Sequence, residues 1–554
     1  MYTRISRSGG RSYLQIVEGY RTDEGKVRQR VVANLMRADD IRPGSLDALI
    51  RGLKRAAGYA SDEAAPASAA GAEFAPAKAF GHLYALHQLW QQLGLGAALN
   101  RCFRSARRRF SAEALVRAMV FNRLTDPRSK LGLLEWLDTV AMPDCPAMTH
   151  QQLLRAMDVL IEEIDAVEQV VCEQVRPLLD GELAVVFYDL TTVRYSGSDS
   201  DGEWPLVCHG HSKDTGTAAR QFVLGVVQSA CGLPLLHTVA PGNVGEATTV
   251  EGMLGHVLKR FPVRQMVVVA DRGLSSLENL DRLQAIGKQA QVQVDFVMAL
   301  PARRYGDLNE INRALSFEKG LAEGQFAGRR LVVAFDPERA AEQKAARTRR
   351  LEAAEALGER LARKLDRQDA GESDPGRRAS DRGAYSRFRQ ELRDRKLTKY
   401  YRIDWKAEQF HYDRDEKAIA AAEAFDGKLY IVTSLDAKAH PSADVVARYK
   451  ALADIERGFR VLKSELLIAP VHHRLEKRIR AHALICFLAL LLHRVLRQRL
   501  KQQASPLSPN AALRLLAQIQ QHQVSLAGNQ YAGLTRQSPE QRDLFGHLAI
   551  HAPG

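Results

Sequence analysis

The sequence predicts an α/β protein in which a mixed sheet is flanked by helices and interrupted by an α+β insertion. Three observations carry this reading. Between 183 and 300, apolar runs of strand length alternate with helical patterns. The first three of those strands are joined by short connections and the later ones by helices. A long polar and charged segment, 301–426, then separates this block from one more strand and two helices. Short connections suit antiparallel neighbours, whereas a helical crossover suits a parallel one, so the order implies a sheet containing both.

Taken in order, residues 1–50 form an N-terminal β-hairpin region: YLQIVEGY and VRQRVVANL are strand-like, with Asp23-Glu24-Gly25 between them. Residues 51–78 are Ala-rich and polar, as in a linker. Residues 79–180 carry helical periodicity and the basic residues Arg101, Arg104, Arg107, Arg108 and Arg109. These suit a helical DNA-binding region or a solvated helical face. The first part of the core, 181–300, opens with LAVVFYD, which ends in Asp189. Next come QFVLGVVQSA (221–230), a Gly232-Leu233-Pro234 turn and LLHTVA (235–240). A helix over 247–260, the strand MVVVAD ending in Asp271, a helix near 275–286 and VQVDFVMAL (292–300) complete a β-β-β-α-β-α-β order.

Within the insertion, LVVAF (331–335) is a strand, 338–367 a long charged helix, and 371–383 a flexible loop. The second part of the core, 427–500, holds the strand DGKLYIVTS, a helix running from an N-cap at Ser442 to Ile468 before Pro470, and a helix from Leu475 to Leu500. Residues 501–554 are a polar tail.

Of the 554 residues, 45% are hydrophobic and 26% charged, the balance of a soluble globular protein. Lys and Arg number 79 against 65 Asp and Glu, a net charge of +14. That surplus suits a polyanionic partner, since basic side chains that neutralise phosphates release condensed counterions; it also suits a merely basic protein. The six cysteines make no CxxC pair, which argues against a zinc ribbon or a disulfide framework and for reduced, mostly buried thiols in a cytoplasmic protein. MYTRISRSGG lacks the apolar core of a signal peptide. The longest apolar run, Ala483 to Leu492, is ten residues, too short to span a bilayer, so no membrane partner is expected.

Asp189 and Asp271 each close an apolar strand. A carboxylate at such a rim is open to ligands, and two on neighbouring strands could hold hard divalent cations through oxygen. Either alone reads better as a turn residue. Tyr449, Glu456 and Lys463 are seven residues apart in each step. On one helix they would stack along a single face with about 20° of drift per step. Phe459 could anchor that face to the core. His209 and His211 are loop or DNA-contact residues, because a hard cation prefers oxygen. His482 and Cys486, at i and i+4, are packing residues.

The combination of YDLTT around Asp189, VVVADRGLSS around Asp271 and YKALADIERGFRVLK from Tyr449 resembles the DDE transposases of bacterial insertion sequences. The resemblance is to the group with a Tyr-x2-Arg-x3-Glu-x6-Lys signature. Lys213-Asp214, Gln221, GLPL (232–235), PGNVGE (241–246), DGKLYIVTS, PVHH (470–473) and Ala481-His482 support it. The signature Arg falls on Leu452, a departure that leaves the role of that position open. The resemblance implies an RNase H-like catalytic core in which the first and fourth strands are neighbours, with Asp189, Asp271 and Glu456 as catalytic metal ligands. It implies two Mg²⁺ ions, with Mn²⁺ as a substitute, and cleavage at the element's ends followed by strand transfer. It further implies DNA contacts from Tyr449, Lys463, Arg272 and Lys213, and a base-stacking role in the insertion for Trp405 or a neighbour such as Tyr401, where packing of the insertion's own small core is the alternative reading of Trp405. The partners implied are the terminal inverted repeats and target DNA, with a homodimer in the end complex inside a bacterial cytoplasm. The alternatives are a metal-dependent nuclease that does not join, and a catalytically impaired DNA-binding derivative.

Overall fold

The computed structural model describes residues 2–8, 11–21, 27–37, 72–104, 109–179, 185–197, 205–212, 216–245, 249–261, 263–270, 277–372, 378–404, 409–526 and 529–554. It divides into two compact units, residues 1–75 with 523–532, and residues 76–522 with 533–554.

In the smaller unit, β1 (Tyr2–Ser8), β2 (Arg11–Arg21) and β3 (Val27–Arg37) form an antiparallel sheet in that order. The two expected strands thus gain a third, β1, which has only Ile5 to mark an apolar face; Ile5 pairs with Leu14. The turn Asp23-Glu24-Gly25 and residues 51–71 lie outside the described residues. The described end of the 51–78 segment holds β4 (Ala72–Phe74), paired with residues 524–526.

The larger unit opens with β5 (Lys78–Ala79), which pairs with Gln521 and Gln520. Six helices follow: α1 (Gly81–Gln92), α2 (Leu95–Cys102), α3 (Ala112–Thr125), α4 (Gly132–Thr139), α5 (His150–Glu162) and α6 (Ile164–Val175). α3 is buried on every face, so AEALVRAMVFNRLT shows no polar stripe. Its two central charges satisfy each other and their surroundings. Arg117 Nε donates to Glu113 Oε1 (3.1 Å), Trp90 Nε1 donates to the same oxygen (2.8 Å), and the guanidinium caps the carbonyls of Pro143 and Asp144. These helices share one hydrophobic core with the sheet.

The sheet uses β6 (Val185–Arg194), β7 (Cys208–His211), β8 (Ala218–Ser229), β9 (Pro234–Pro241), then α7 (Val250–Arg260), β10 (Gln265–Ala270), α8 (Leu277–Gln289) and β11 (Gln293–Ala299). The expected strand and helix order is found, with the short β7 added. After α9 (Asn309–Ala314) come β12 (Leu321–Phe326) and β13 (Arg329–Phe335), which extend the same sheet although they fall inside the 301–426 segment.

A second, smaller core then gathers α10 (Pro337–Asp369), α11 (Asp381–Asp394), β14 (Tyr401–Asp404), β15 (His411–Arg414) and α12 (Glu416–Glu423) around Leu351, Phe388, Leu392 and Tyr401. β16 (Lys428–Thr433) returns to the main sheet, whose order is β12-β13-β16-β11-β10-β6-β8-β7, with β9 following β7 along the outer edge of β8. The pairs β6–β10 and β10–β11 are parallel and the others antiparallel.

The helix expected over 442–468 is two helices, α13 (Ser442–Lys450) and α14 (Ala453–Ser464). Ser442 is not the cap: its hydroxyl engages Glu323 and Arg330 instead. α15 (Glu476–Gln502) has the length and composition to cross a membrane, yet 94% of its apolar stretch is buried inside the fold, the place of a core helix. The expected polar tail is structured as α16 (Pro509–Ala517), β17 (Gln520–Leu526), β18 (Asn529–Leu534) and α17 (Pro539–His547). The thiols are less buried than expected: Cys172 and Cys486 are buried, Cys102, Cys145 and Cys208 half-buried, and Cys231 exposed.

Candidate active site

β6 places Asp189. Phe187, Tyr188 and Leu190 around it are buried, while Asp189 itself is half-buried. The sequence suggested a strand that stops at this residue. Instead β6 continues to Arg194, because the twelve-residue β8 carries its ladder on, with Asp189 opposite Val226. Among the described residues, the parallel ladder with β10 reaches Ala270, which lies beside Tyr188. Asp189 is therefore the first residue of β6 without a β10 neighbour among the described residues. Its Oδ1 accepts a hydrogen bond from the Leu190 backbone N–H (2.7 Å), which fixes the carboxylate's direction.

Asp271 and Arg272 follow Ala270 in the chain and lie outside the described residues, as do Lys213 and Trp405. Glu456 is on α14, and its side chain lies outside the described set. α14 packs against β6 and α15, anchored by Phe459, Val461 and Leu462. Gly458, two residues past Glu456, sets that approach. A Cβ there would sit 2.5 Å from Gln228 Nε2 on β8 and 3.1 Å from the Arg494 guanidinium on α15. Lys463 is half-buried in the last turn of α14 and Tyr449 half-buried in the last turn of α13, so the Tyr449-to-Glu456 step crosses a helix break rather than following one face. Leu452, where the signature carries Arg, is 7% exposed and part of the hydrophobic core.

Tyr401, a base-stacking alternative to Trp405, is a core residue. Its ring meets Phe388 edge-on, and its hydroxyl reaches the Leu351 carbonyl and Glu355. His209 is exposed on β7, opposite Arg220. Cys486 Sγ lies 3.7 Å from His482 Nε2, both buried in α15, as packing residues.

Beyond Asp189, the PVHH segment straps the continuation of β6. Ser196 N–H donates to the Val471 carbonyl (2.9 Å) and Val471 N–H to the Arg194 carbonyl (3.0 Å), while the Arg220 guanidinium covers the Tyr195 ring at 5.0 Å. The PGNVGE turn owes its first glycine to close approach. Gln221 Nε2 donates to the Gly242 carbonyl (3.0 Å), and a Cβ on Gly242 would lie 2.0 Å from the Gln221 carbonyl oxygen.

The IS1634 family transposase N-terminal domain matches residues 2–64, and the transposase DDE domain matches residues 180–492. The chain belongs to the DDE transposase family. No curated protein matches the sequence. Among solved structures, the piggyBac transposase synaptic complex with hairpin DNA resembles this transposase over 79% of each chain, at 9% identity and a TM-score of 0.38. The DDE transposases are nucleotidyl-transfer enzymes of insertion sequences that act on DNA and generally use divalent metals. The match to the DDE domain spans β6, β10 and α14, and takes in the 301–426 segment between them.

Among the described residues, no group of three or more His, Cys, Asp or Glu converges as a metal site. Of the expected ligands, only the Asp189 side chain is described. A half-buried carboxylate with one oxygen held by a backbone N–H suits an oxygen-seeking hard cation.

Proposed function

We propose that this transposase cuts DNA at the ends of an insertion sequence and joins them to target DNA, with Asp189, Asp271 and Glu456 as its catalytic metal ligands. One observation carries the assignment. β6 and β10 are parallel neighbours, and Tyr188 pairs with Ala270. Each of the two aspartates is the next residue in its own chain segment. The same β-β-β-α-β order, with Glu456 on a later helix packed against β6, supports an RNase H-like core.

The three carboxylates would hold two Mg²⁺ ions, with Mn²⁺ able to replace them. When bound, such a pair stabilises the attacking and the leaving oxygen of an in-line displacement at phosphorus. The chain's own part is to orient. Leu190 N–H fixes the Asp189 carboxylate, and Gly458 lets the helix bearing Glu456 lie close to β8. Tyr449, Lys463, Arg272 and Lys213 would hold DNA phosphates, and Trp405 would stack a base displaced at the cut end. The helices of 79–180 would add DNA contacts, and two copies of the chain would pair the two ends in the bacterial cytoplasm. Leu452 makes its position one of apolar packing here, so the assignment does not call on a charge there.

The test is a strand-transfer assay with the full-length protein, DNA carrying the element's ends and flanks, a target plasmid and Mg²⁺. Free 3′-OH ends and joined products are expected. Asp189→Asn, Asp271→Asn and Glu456→Gln should each abolish both while end binding persists, because removing one ligand disturbs few phosphate contacts. Cutting without joining would make the protein a nuclease, and wild-type cutting by any of the three variants would overturn the site.

A further inference from the structure

Past α14 the chain runs back over residues 467–475. Together with the α3–α4 connection it walls a cleft of about 620 Å³. Among the described residues, no Asp or Glu lines this cleft; Arg123, Lys130, His473, Arg478 and His482 do. Two of its cations are already neutralised, Arg128 by Asp126 and Arg478 by Asp158. Arg123 and Lys130 have no carboxylate partner among the described residues. Arg123 is 6% exposed and its guanidinium meets only carbonyl oxygens, those of Leu467 (3.2 Å), Leu466 and Arg128. Lys130 is 5% exposed, and among the described residues its ammonium has no hydrogen-bond or ion-pair partner.

Burial, and then repulsion from Arg123, lower the Lys130 pKa to about 7. Burial, with the nearby cations Lys130, Arg478 and Arg123, lowers that of His473 to about 4. A buried cation without a counter-charge is costly to fold around. Among the described residues no side chain supplies one, and the group faces a cleft. The mouth is apolar: Leu131, Leu467 and Leu475 are 60%, 44% and 47% exposed. A basic floor beneath an apolar rim matches the alternation of phosphate and deoxyribose along a DNA strand.

The location fits as well. Val471 in the cleft wall bridges to Tyr195 on the continuation of β6. The six residues from Asp189 to Tyr195, at about 3.3 Å each, span roughly 20 Å, or about six base-pair rises. We infer that the cleft between the α3–α4 connection and residues 467–475 grips a backbone phosphate of duplex DNA, a little over half a helical turn from the catalytic carboxylates, with Lys130 as the contacting cation. The inference rests on the transposase reading for its DNA and on the cleft for its residues.

The experiment is fluorescence anisotropy of the full-length protein with a labelled duplex of about 30 base pairs across a NaCl series. Lys130→Met should weaken binding about 5- to 10-fold and lower the slope of log Kd against log[NaCl] by about 0.9, the share of one phosphate. Lys130→Arg, which keeps the charge, should hold the slope near wild type. Thermal melts report folding, and Lys130→Gln serves the same comparison should the Met variant not fold. An unchanged slope in Lys130→Met and Lys130→Gln overturns the inference alone. Inorganic phosphate that raises the wild-type Tm through Lys130, with duplex slopes equal in all variants, makes the cleft a free-anion site and likewise overturns it. A wild-type chain that binds no duplex contradicts the transposase reading itself.

Discussion

Lys130 shows how a single residue can work against stability. Its pKa falls from 10.5 to about 7 in the folded chain. Between those values the unfolded chain keeps a proton that the native one has shed, so native stability rises with pH across that window. The cost is fully present below about pH 7, at on the order of 4 kcal/mol, and vanishes above the unfolded value. Arg123, His473, His482 and Cys486 face the same ammonium. Burial lowers the pKa of both histidines below the ordinary value and raises that of the thiol. Lys130→Met should therefore raise the Tm of the DNA-free protein by a few degrees at pH 7, with the gain shrinking as pH approaches 10. A gain independent of pH, or a loss at pH 7, would contradict this account. Nothing in SKLGLLEW marks the lysine as buried, because its burial is imposed by residues 467–482, far away in the chain. Asp189 was legible for the opposite reason: the apolar strand that buries its neighbours precedes it directly.

At the scale of elements, strands with apolar runs were readable and polar ones were not. β17, QQHQVSL, and the short β7, CHGH, owe their form to partners rather than to pattern. The break between α13 and α14 was hidden because Ala451 and Leu452 keep right-handed helical dihedrals. Only the hydrogen bonding changes, with Leu452 N–H closing on the Tyr449 carbonyl three residues back (3.0 Å). No side chain announces that. Gly458 inside α14 reads as a weak point in sequence, since glycine lowers helix stability by about 1 kcal/mol relative to alanine. The structure explains it by the contact with Gln228 and Arg494. Gly458→Ala should thus give no net stabilisation: about 1–3 kcal/mol of overpacking outweighs the gain in helix propensity. By shifting the helix that carries Glu456, it should slow end cleavage more than it weakens DNA binding. Urea denaturation with parallel cleavage and binding assays checks this, and a more stable, fully active variant would refute it.

Across the whole molecule, the order of strands and helices from 185 to 300, apart from the short β7, was legible, because each of those elements carries its own periodicity. Three features were not. β12 and β13 join the main sheet, the helices of 79–175 share its core, and the C-terminal strand β17 pairs with residues 72–79. Each is a pairing between distant segments, settled by tertiary fit rather than by local pattern. The proposed site has the same character, since its carboxylates come from β6, the residue that follows β10 in the chain, and α14, widely separated in sequence. Their convergence is the central claim. Iron-directed hydroxyl-radical cleavage tests it most directly, with Fe²⁺ loaded in place of Mg²⁺ in the full-length protein and the scission points mapped by mass spectrometry. The account predicts scission clustered around residues 189, 271 and 456 together, lost from all three in Asp189→Asn. Scission near only one of them, or a pattern that survives Asp189→Asn unchanged, would contradict it.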